Sequence, residues 1–285
     1  MKVGIIGFGF VGKALENALK NVESVSIADP KIGRDVADLI NDKPSIIFVC
    51  VPTPMSDDGS QNIEIVKSVF NEISIADSKV PVILKSTVLP NHLRELHQRY
   101  KKFVYNPEFL TERNANQDFI NSPLIIFGGD KKDSIAVSDF YLKYTKCINK
   151  DHFFTDLITA SLIKYSINSF LASKVIFFNE LKNIFLNSGA DDSWDNFIKI
   201  LSTDSRIGAS HMDVPGSDNR LGFGGACFPK DTNALLRFSK DIDAEFSLLK
   251  NVILLNNKIR GEYNELTKRE KEQDINFNSS NLDKS

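Results

Sequence analysis

Cysteine, histidine and tryptophan are scarce in this chain, at three, four and one among 285 residues. Cys50, Cys147 and Cys227 are too few and too scattered for a disulfide framework. A reducing, cytoplasmic setting follows from that reading. No second cysteine or histidine stands near Cys227 at zinc-like spacing, so no metal site is expected. A charge excess is also lacking: 35 basic against 37 acidic residues leave a net charge of −2. That is not the footprint of a nucleic-acid binder, and no nucleic-acid partner is expected. Long apolar runs are absent too. The longest, Ile46 to Pro52, is far shorter than the roughly 20 residues a membrane helix needs. The apolar start is interrupted by glycines and has no small-residue cleavage site. It reads as a first strand and turn, not a signal peptide.

What is present is ordinary globular material, 42% hydrophobic and 25% charged. The length suits two domains with a sizeable core. The first half alternates short apolar runs with helical patterns. Strands are expected at 2–6, 24–28, 45–51, 80–84, 103–105 and 124–127, with amphipathic helices at 11–20, 63–75 and 91–98. Strands rich in Ile and Val, alternating with helices, predict a doubly wound parallel α/β sheet over 1–155. From 155 to 187 no Gly or Pro occurs, and Ile163, Ile167, Phe170, Phe178 and Phe185 recur at helical spacing. That predicts one long central helix in an all-helical domain over 156–260. A helix at 194–201 and a last helix at 231–260 complete it. The polar stretch 261–285 lacks an apolar period and is expected to be disordered.

Gly7-Phe8-Gly9-Phe10-Val11-Gly12 follows the first strand and opens a helix. Gly7 permits the tight turn, Gly9 a close pyrophosphate approach, and Gly12 close helix–strand packing. Asp29 ends the second strand, where a carboxylate binds ribose hydroxyls and favours NAD over NADP. The domain is therefore read as Rossmann-type. Pro52-Thr53-Pro54 and Lys85-Ser86-Thr87 follow the third and fourth strands, and each alone reads as turn chemistry.

The segment 222–231, Gly-Phe-Gly-Gly-Ala-Cys-Phe-Pro-Lys-Asp, clears side chains from the approach to one thiol. Lys230 and a helix start both favour the Cys227 thiolate, the nucleophilic form. Lys164, Asn168 and Asn179 share one helix face. They form either a solvated face or donors to a developing oxyanion. Glu108 is either a loop acid exposed by Pro107 or a general base.

Together these motifs resemble the UDP-glucose/GDP-mannose 6-dehydrogenase family over residues 1–260. The similarity lies in the glycine fingerprint, Val51–Pro54, Ser86-Thr87-Val88, Asn106-Pro107-Glu108-Phe109-Leu110, Lys164 with Asn168, Phe178-Asn179-Glu180, Asp204–Gly208 and the cysteine loop. The resemblance implies an NAD-dependent four-electron oxidation of a nucleotide sugar, with UDP-glucose going to UDP-glucuronate. It implies a thiohemiacetal and then a thioester on Cys227, as in polysaccharide precursor supply. Lys164 and Asn168 would stabilise the oxyanion, Asp231 would activate water, and Glu108 would assist hydrolysis. The glycine fingerprint with Phe10 and Val11, Asp29, Arg34, Thr53, Thr87, Glu112 and Lys230 match cofactor-contacting positions. Phe109, Leu110, Arg206 and Gly224 match substrate-contacting ones. The long helix implies a homodimer. Three departures stand out. The family's C-terminal α/β domain is expected to be missing, Arg113 replaces a usual glycine, and 210–220 is longer and more polar. Two other readings compete. One is a two-electron 3-hydroxyacid or 6-phosphogluconate-type dehydrogenase, and the other is a non-catalytic NAD-binding relative.

Overall fold

A computed structural model describes residues 1–76 and 80–277. The end of the expected disordered tail, 278–285, lies outside the described residues. The chain divides into two compact units, Met1–Thr53 with Gln61–Lys164, and Pro54–Ser60 with Tyr165–Ser285.

Unit 1 is built on seven strands: β1 (Lys2–Ile6), β2 (Ser24–Ala28), β3 (Ile46–Val49), β4 (Val82–Leu84), β5 (Phe103–Tyr105), β6 (Ile126–Gly128) and β7 (Phe153–Thr155). Their order in the sheet is β2-β1-β3-β4-β5-β6-β7. β3, β4 and β5 are buried at every position, as strands covered on both faces must be. The covering helices are α1 (Phe10–Ala18), α2 (Val36–Asn41), α3 (Glu64–Ile75), α4 (Pro90–Arg99), α5 (Ala115–Asn121) and α6 (Lys131–Tyr144). Leu39, Val66, Phe70 and Leu93 pack one face of the sheet. Ala14, Leu15, Phe119, Val137 and Phe140 pack the other.

The expected strands form a mostly parallel sheet, with one antiparallel pair that the sequence did not announce. β5 and β6 pair antiparallel through Tyr105 and Gly128. β7, parallel to β6, adds an unexpected edge strand. Phe153 and Phe154 are both exposed there, so no burial pattern announces it.

α7 (Leu157–Asn187) runs for 31 residues, about 46 Å at 1.5 Å per residue. Asp156 caps it: one carboxylate oxygen accepts from the Ile158 and Thr159 amides at 2.8 and 2.9 Å. These bonds, with one from the Thr159 hydroxyl, hold its carboxyl below the usual range. Gly189, at φ +79°, ends the helix turn. The boundary between the units falls inside α7, after Lys164. The first turns of α7 belong with the sheet. A side chain at Gly128 would strike Ala160, and the Ser161 hydroxyl donates to the Val88 carbonyl at 2.7 Å.

Unit 2 contains the rest of α7 with α8 (Trp194–Leu201), α9 (Phe228–Asp241), α10 (Ser247–Arg260) and α11 (Lys268–Lys271). Phe178 packs with Trp194, Met212 and Val214. Ala172 and Ile176 pack with Phe223 and Val252. The single last helix expected at 231–260 is two helices. Asp243 adopts φ +55°, and the Ala244 amide closes back on the Ser239 carbonyl. A left-handed residue ends a right-handed helix.

The expectation of disorder from 261 is corrected as far as 277. Thr267 and Glu270 form a reciprocal capping box on α11. Glu270 is fully buried, 3.8 Å from Arg260, and its Oε1 accepts from the Gly225 amide at 3.1 Å. Ile275 is buried too, and the Gln273 carbonyl accepts from the Met55 amide. Polar composition hid a segment held by buried charge. Replacing Glu270 with Ala leaves the Gly225 amide unsatisfied, while Arg260 keeps Asp218 at 2.7 Å. The expected loss is about 1–3 kcal/mol in urea unfolding. An unchanged midpoint would show that the tail contributes nothing.

Candidate active site

In unit 1 the glycine turn sits where β1 lies between β2 and β3, the switch point of the sheet. Gly7 has φ +90°, and a Cβ there would lie 2.7 Å from the Cys50 carbonyl oxygen. A Cβ at Gly12 would strike the Gly7 carbonyl, whereas one at Gly9 meets nothing within 4 Å. Two glycines are thus demanded by packing, and the third leaves open space. Gly9 caps α1 without a side-chain bond. The first-turn amides therefore point toward that space, as an anion site requires. Asp29 accepts from the Phe8 amide at 2.6 Å and from the Lys31 amide at 2.8 Å. Its carboxylate is thereby fixed beside the turn. Phe10 and Val11 are half-buried on the same turn. Buried Thr53 donates to the Thr87 carbonyl at 3.1 Å, and Gln61 donates to that same oxygen at 2.7 Å. Arg34 pairs with Asp42 at 2.6 Å. The pairing raises the guanidinium and lowers the carboxyl from their ordinary values.

The loop after β5 holds an arrangement the sequence reading missed. Lys85, at the end of β4, is 2% exposed. Its ammonium lies 2.8 Å from Glu108 Oε2 and donates to Asn106 Oδ1 at 2.8 Å and the Tyr141 hydroxyl at 3.1 Å. Burial alone would lower its pKa, but the Glu108 charge and the Tyr141 phenol outweigh it, and the ammonium is held above the usual lysine value. The Phe109 amide donates to Glu108 Oε1 at 3.2 Å. Glu108 is therefore an oriented carboxylate, not a loop acid in free solvent. The Phe109 ring lies 5.3 Å from the buried Lys164 ammonium. Leu110 is half-buried, and Glu112 is exposed just beyond it.

In unit 2 Cys227 is the N-cap of α9, in no disulfide and half-buried. Gly222 and Gly225, at φ +70° and +76°, set the loop that leads to it. At Gly224 a Cβ would strike Glu270 and come within 2.6 Å of Arg260. Asp231, 1% exposed, lies 2.5 Å from the Lys230 ammonium and accepts from the Asn168 amide at 2.6 Å. Asn179 accepts from the Gly222 amide at 3.0 Å. Lys164, Asn168 and Asn179 are all at least nine-tenths buried, so the solvated-face alternative for the stripe is excluded. Arg206 is exposed and paired with Asp204 at 2.6 Å. Asn256, Arg260 and Glu270, all missed in the sequence, hold the glycine loop. The only sequence signal was a polar residue at the apolar helical positions of α10. Among the described residues no His, Cys, Asp or Glu cluster fits a metal. No described helix is long and apolar enough to cross a membrane.

A Rossmann-type sheet with an open glycine turn, followed by a helical unit with a thiol at a helix start, is the domain plan of the nucleotide-sugar dehydrogenases. Two models of one family match the chain: the NAD binding domain of the UDP-glucose/GDP-mannose dehydrogenase family over 31–144, and its central domain over 158–258. The chain belongs to that family. It is 35% identical over 218 residues to UDP-glucose 6-dehydrogenase of Rickettsia bellii, covering 74% of this chain and 48% of the relative. It is 30% identical to UDP-glucose 6-dehydrogenase TuaD of Bacillus subtilis, covering 91% and 63%. A UDP-glucose dehydrogenase structure from Pyrobaculum islandicum superposes with a TM-score of 0.74 at 26% identity, over 90% of this chain and 68% of that one. The chain spans about half the length of the Rickettsia relative.

The three thiols differ in environment. Burial pushes Cys50 up to about 12 and raises Cys147 as well. At pH 8 almost no thiolate exists at Cys50. Iodoacetamide on the native protein is expected to label Cys227 first, as read by peptide mass spectrometry. Equal labelling of Cys50 would show that the loop does not present Cys227.

Proposed function

We propose that the chain is an NAD-dependent nucleotide-sugar dehydrogenase that oxidises the 6-hydroxyl of UDP-glucose to the carboxylate. The observation that carries this is Cys227, half-buried at the start of α9 after a glycine-rich loop. Gly9 with the first-turn amides of α1 would hold the cofactor pyrophosphate, and Asp29 the adenosine ribose. Arg34, Thr53, Thr87, Glu112 and Lys230 are assigned to the same cofactor by family position. Bound NAD would supply the hydride acceptor, one molecule for each of the two oxidations.

The protein's own groups account for the rest. The Cys227 thiolate adds to the aldehyde carbon, and the adduct retains the intermediate between oxidations. Lys164 and Asn168, one turn apart on α7, donate to the developing oxyanion. The Lys164 ammonium is buried beside an aromatic ring, where its charge acts in a low dielectric. Asp231, bound to Lys230 and Asn168, orders the donors around the reacting oxygen. After the second oxidation, water adds to the thioester carbonyl, Glu108 takes the water proton, and the C–S bond breaks. Acid and thiol are released. Phe109, Leu110, Arg206 and Gly224 are assigned to the sugar nucleotide. A two-electron hydroxyacid dehydrogenase needs no such thiol.

The decisive measurement is NADH formed per UDP-glucose, with GDP-mannose and UDP-N-acetyl sugars in parallel. Two NADH per sugar are expected. One would move the reading to the two-electron class, and none to a binding protein. Cys227→Ala is expected to keep NAD binding and lose acid formation. Acid at the parent rate would remove the thioester.

The partner we infer is a second copy of the chain, docked on α7. Phe170, Phe177 and Ile184 recur every seven residues and are 67%, 59% and 65% exposed. Such a stripe on one helix fits a helix–helix seam. Phe177→Asp is expected to shift a dimer to monomer in sedimentation velocity. A parent protein that is monomeric at micromolar concentration would refute the seam.

A further inference from the structure

Lys85 takes no part in the reaction just described, yet its place in unit 1 is built with unusual care. A buried ammonium is costly unless its donors are met. Here they are met by Glu108, Asn106 and Tyr141. Those partners are themselves fixed. Tyr141 donates to Asn106 Oδ1 at 2.6 Å, and Asn106 donates to the Ile126 carbonyl at 2.8 Å. The Lys85 ammonium also lies 5.1 Å from the Phe119 ring and 5.7 Å from the Tyr141 ring. Within this group Lys85, Asn106 and Tyr141 are each 2% exposed. Glu108 is different: its side chain is 12% exposed, against 1% for that of Lys85. Both its oxygens are nonetheless engaged, Oε2 by Lys85 and Oε1 by the Phe109 amide. A carboxylate held at both oxygens cannot swing about its last torsion. A purely structural ion pair has no reason to leave one member at the surface, where water weakens it.

We propose that Lys85 is the positioning residue for Glu108: its buried ammonium fixes the carboxylate for the proton transfer that hydrolyses the thioester. This rests on the reading of Glu108 given above and extends it to a residue outside the reacting groups. In the step concerned, the water oxygen bonds to the thioester carbon, its proton goes to Glu108, and the electron pair of the C–S bond leaves with sulfur. Lys85 exchanges no atom. It sets where the accepting oxygen stands, and misplacement of about 1 Å costs on the order of 10²-fold in rate.

The test compares parent, Lys85→Met, Lys85→Arg, Glu108→Gln and the Lys85→Met/Glu108→Gln double variant with UDP-glucose and NAD. Stopped-flow absorbance reads the NADH burst and the steady state, and intact-protein mass spectrometry reads the sugar adduct on Cys227. Lys85→Met is expected to keep the burst, slow acid release roughly 10–10²-fold and accumulate the adduct. A merely structural loss would lower burst and release together. The double variant is expected to be no slower than Glu108→Gln, because the two residues act as one unit. Lys85→Arg keeps the buried charge and guards against a misfolded methionine variant. It should also release slowly, since the fork of arginine cannot occupy the ammonium position. Parent-rate release in either single Lys85 variant overturns the proposal, as does full additivity in the double variant. A parent protein that forms no acid overturns the underlying reading, and this proposal with it.

Discussion

The backbone of the glycine loop cannot satisfy itself, and much of unit 2 is arranged around that fact. The Gly222, Phe223 and Gly225 amides have no helix or strand to pair with, and an unmet buried amide costs about 1–3 kcal/mol. Three separate elements supply acceptors. Asn179 on α7 takes the Gly222 amide, Asn256 on α10 takes Phe223 at 2.7 Å, and Glu270 on α11 takes Gly225. Asn256 also returns a bond to the Phe223 carbonyl, and Arg260 donates to the Gly222 carbonyl at 3.2 Å. The loop needs glycines because these side chains occupy the room a Cβ would take. Asn256 Oδ1 lies 2.6 Å from the Cβ position at Gly222. The result is a loop held from three helices immediately before Cys227.

Unit 1 solves a similar problem with charge. Its central strands β3, β4 and β5 are buried at every position, yet a buried lysine directly follows β4. That is tolerable only because Glu108, Asn106 and Tyr141 converge on the ammonium. Removing any one of them would leave the charge short of a partner in a low dielectric. The two clusters share a principle: buried polar groups, fully satisfied, fix the backbone or carboxylate that the chemistry uses.

The legible parts were those with a local cause. The limits of β1, β2, β5 and α8 follow from period and from adjacent turn residues. The long span of α7 follows from the lack of Gly and Pro. The glycine fingerprint and the cysteine loop were visible because glycine has one backbone meaning wherever it stands. The failures have equally specific causes. The break between α9 and α10 depends on Asp243 in a left-handed turn, which aspartate tolerates without advertising. The segment from 261 to 277 looked disordered because its anchor is a charge, Glu270, whose burial depends on Arg260 and the glycine loop. Lys85 read as a turn residue because its acceptors lie 21 and 56 positions away.

The sequence by itself determined the alternation of strand and helix, the two glycine turns and the one cysteine that follows a glycine run. Each is encoded within a few neighbouring residues, through side-chain period or backbone freedom. Tertiary structure decided the direction of β6, the burial of the Lys164, Asn168 and Asn179 face, and the pairing of Lys85 with Glu108. It also decided which side chains hold the glycine loop, across separations of 33, 43 and 45 residues. Those outcomes depend on which polar groups lose water together, and only the folded chain brings them close enough for that to be settled.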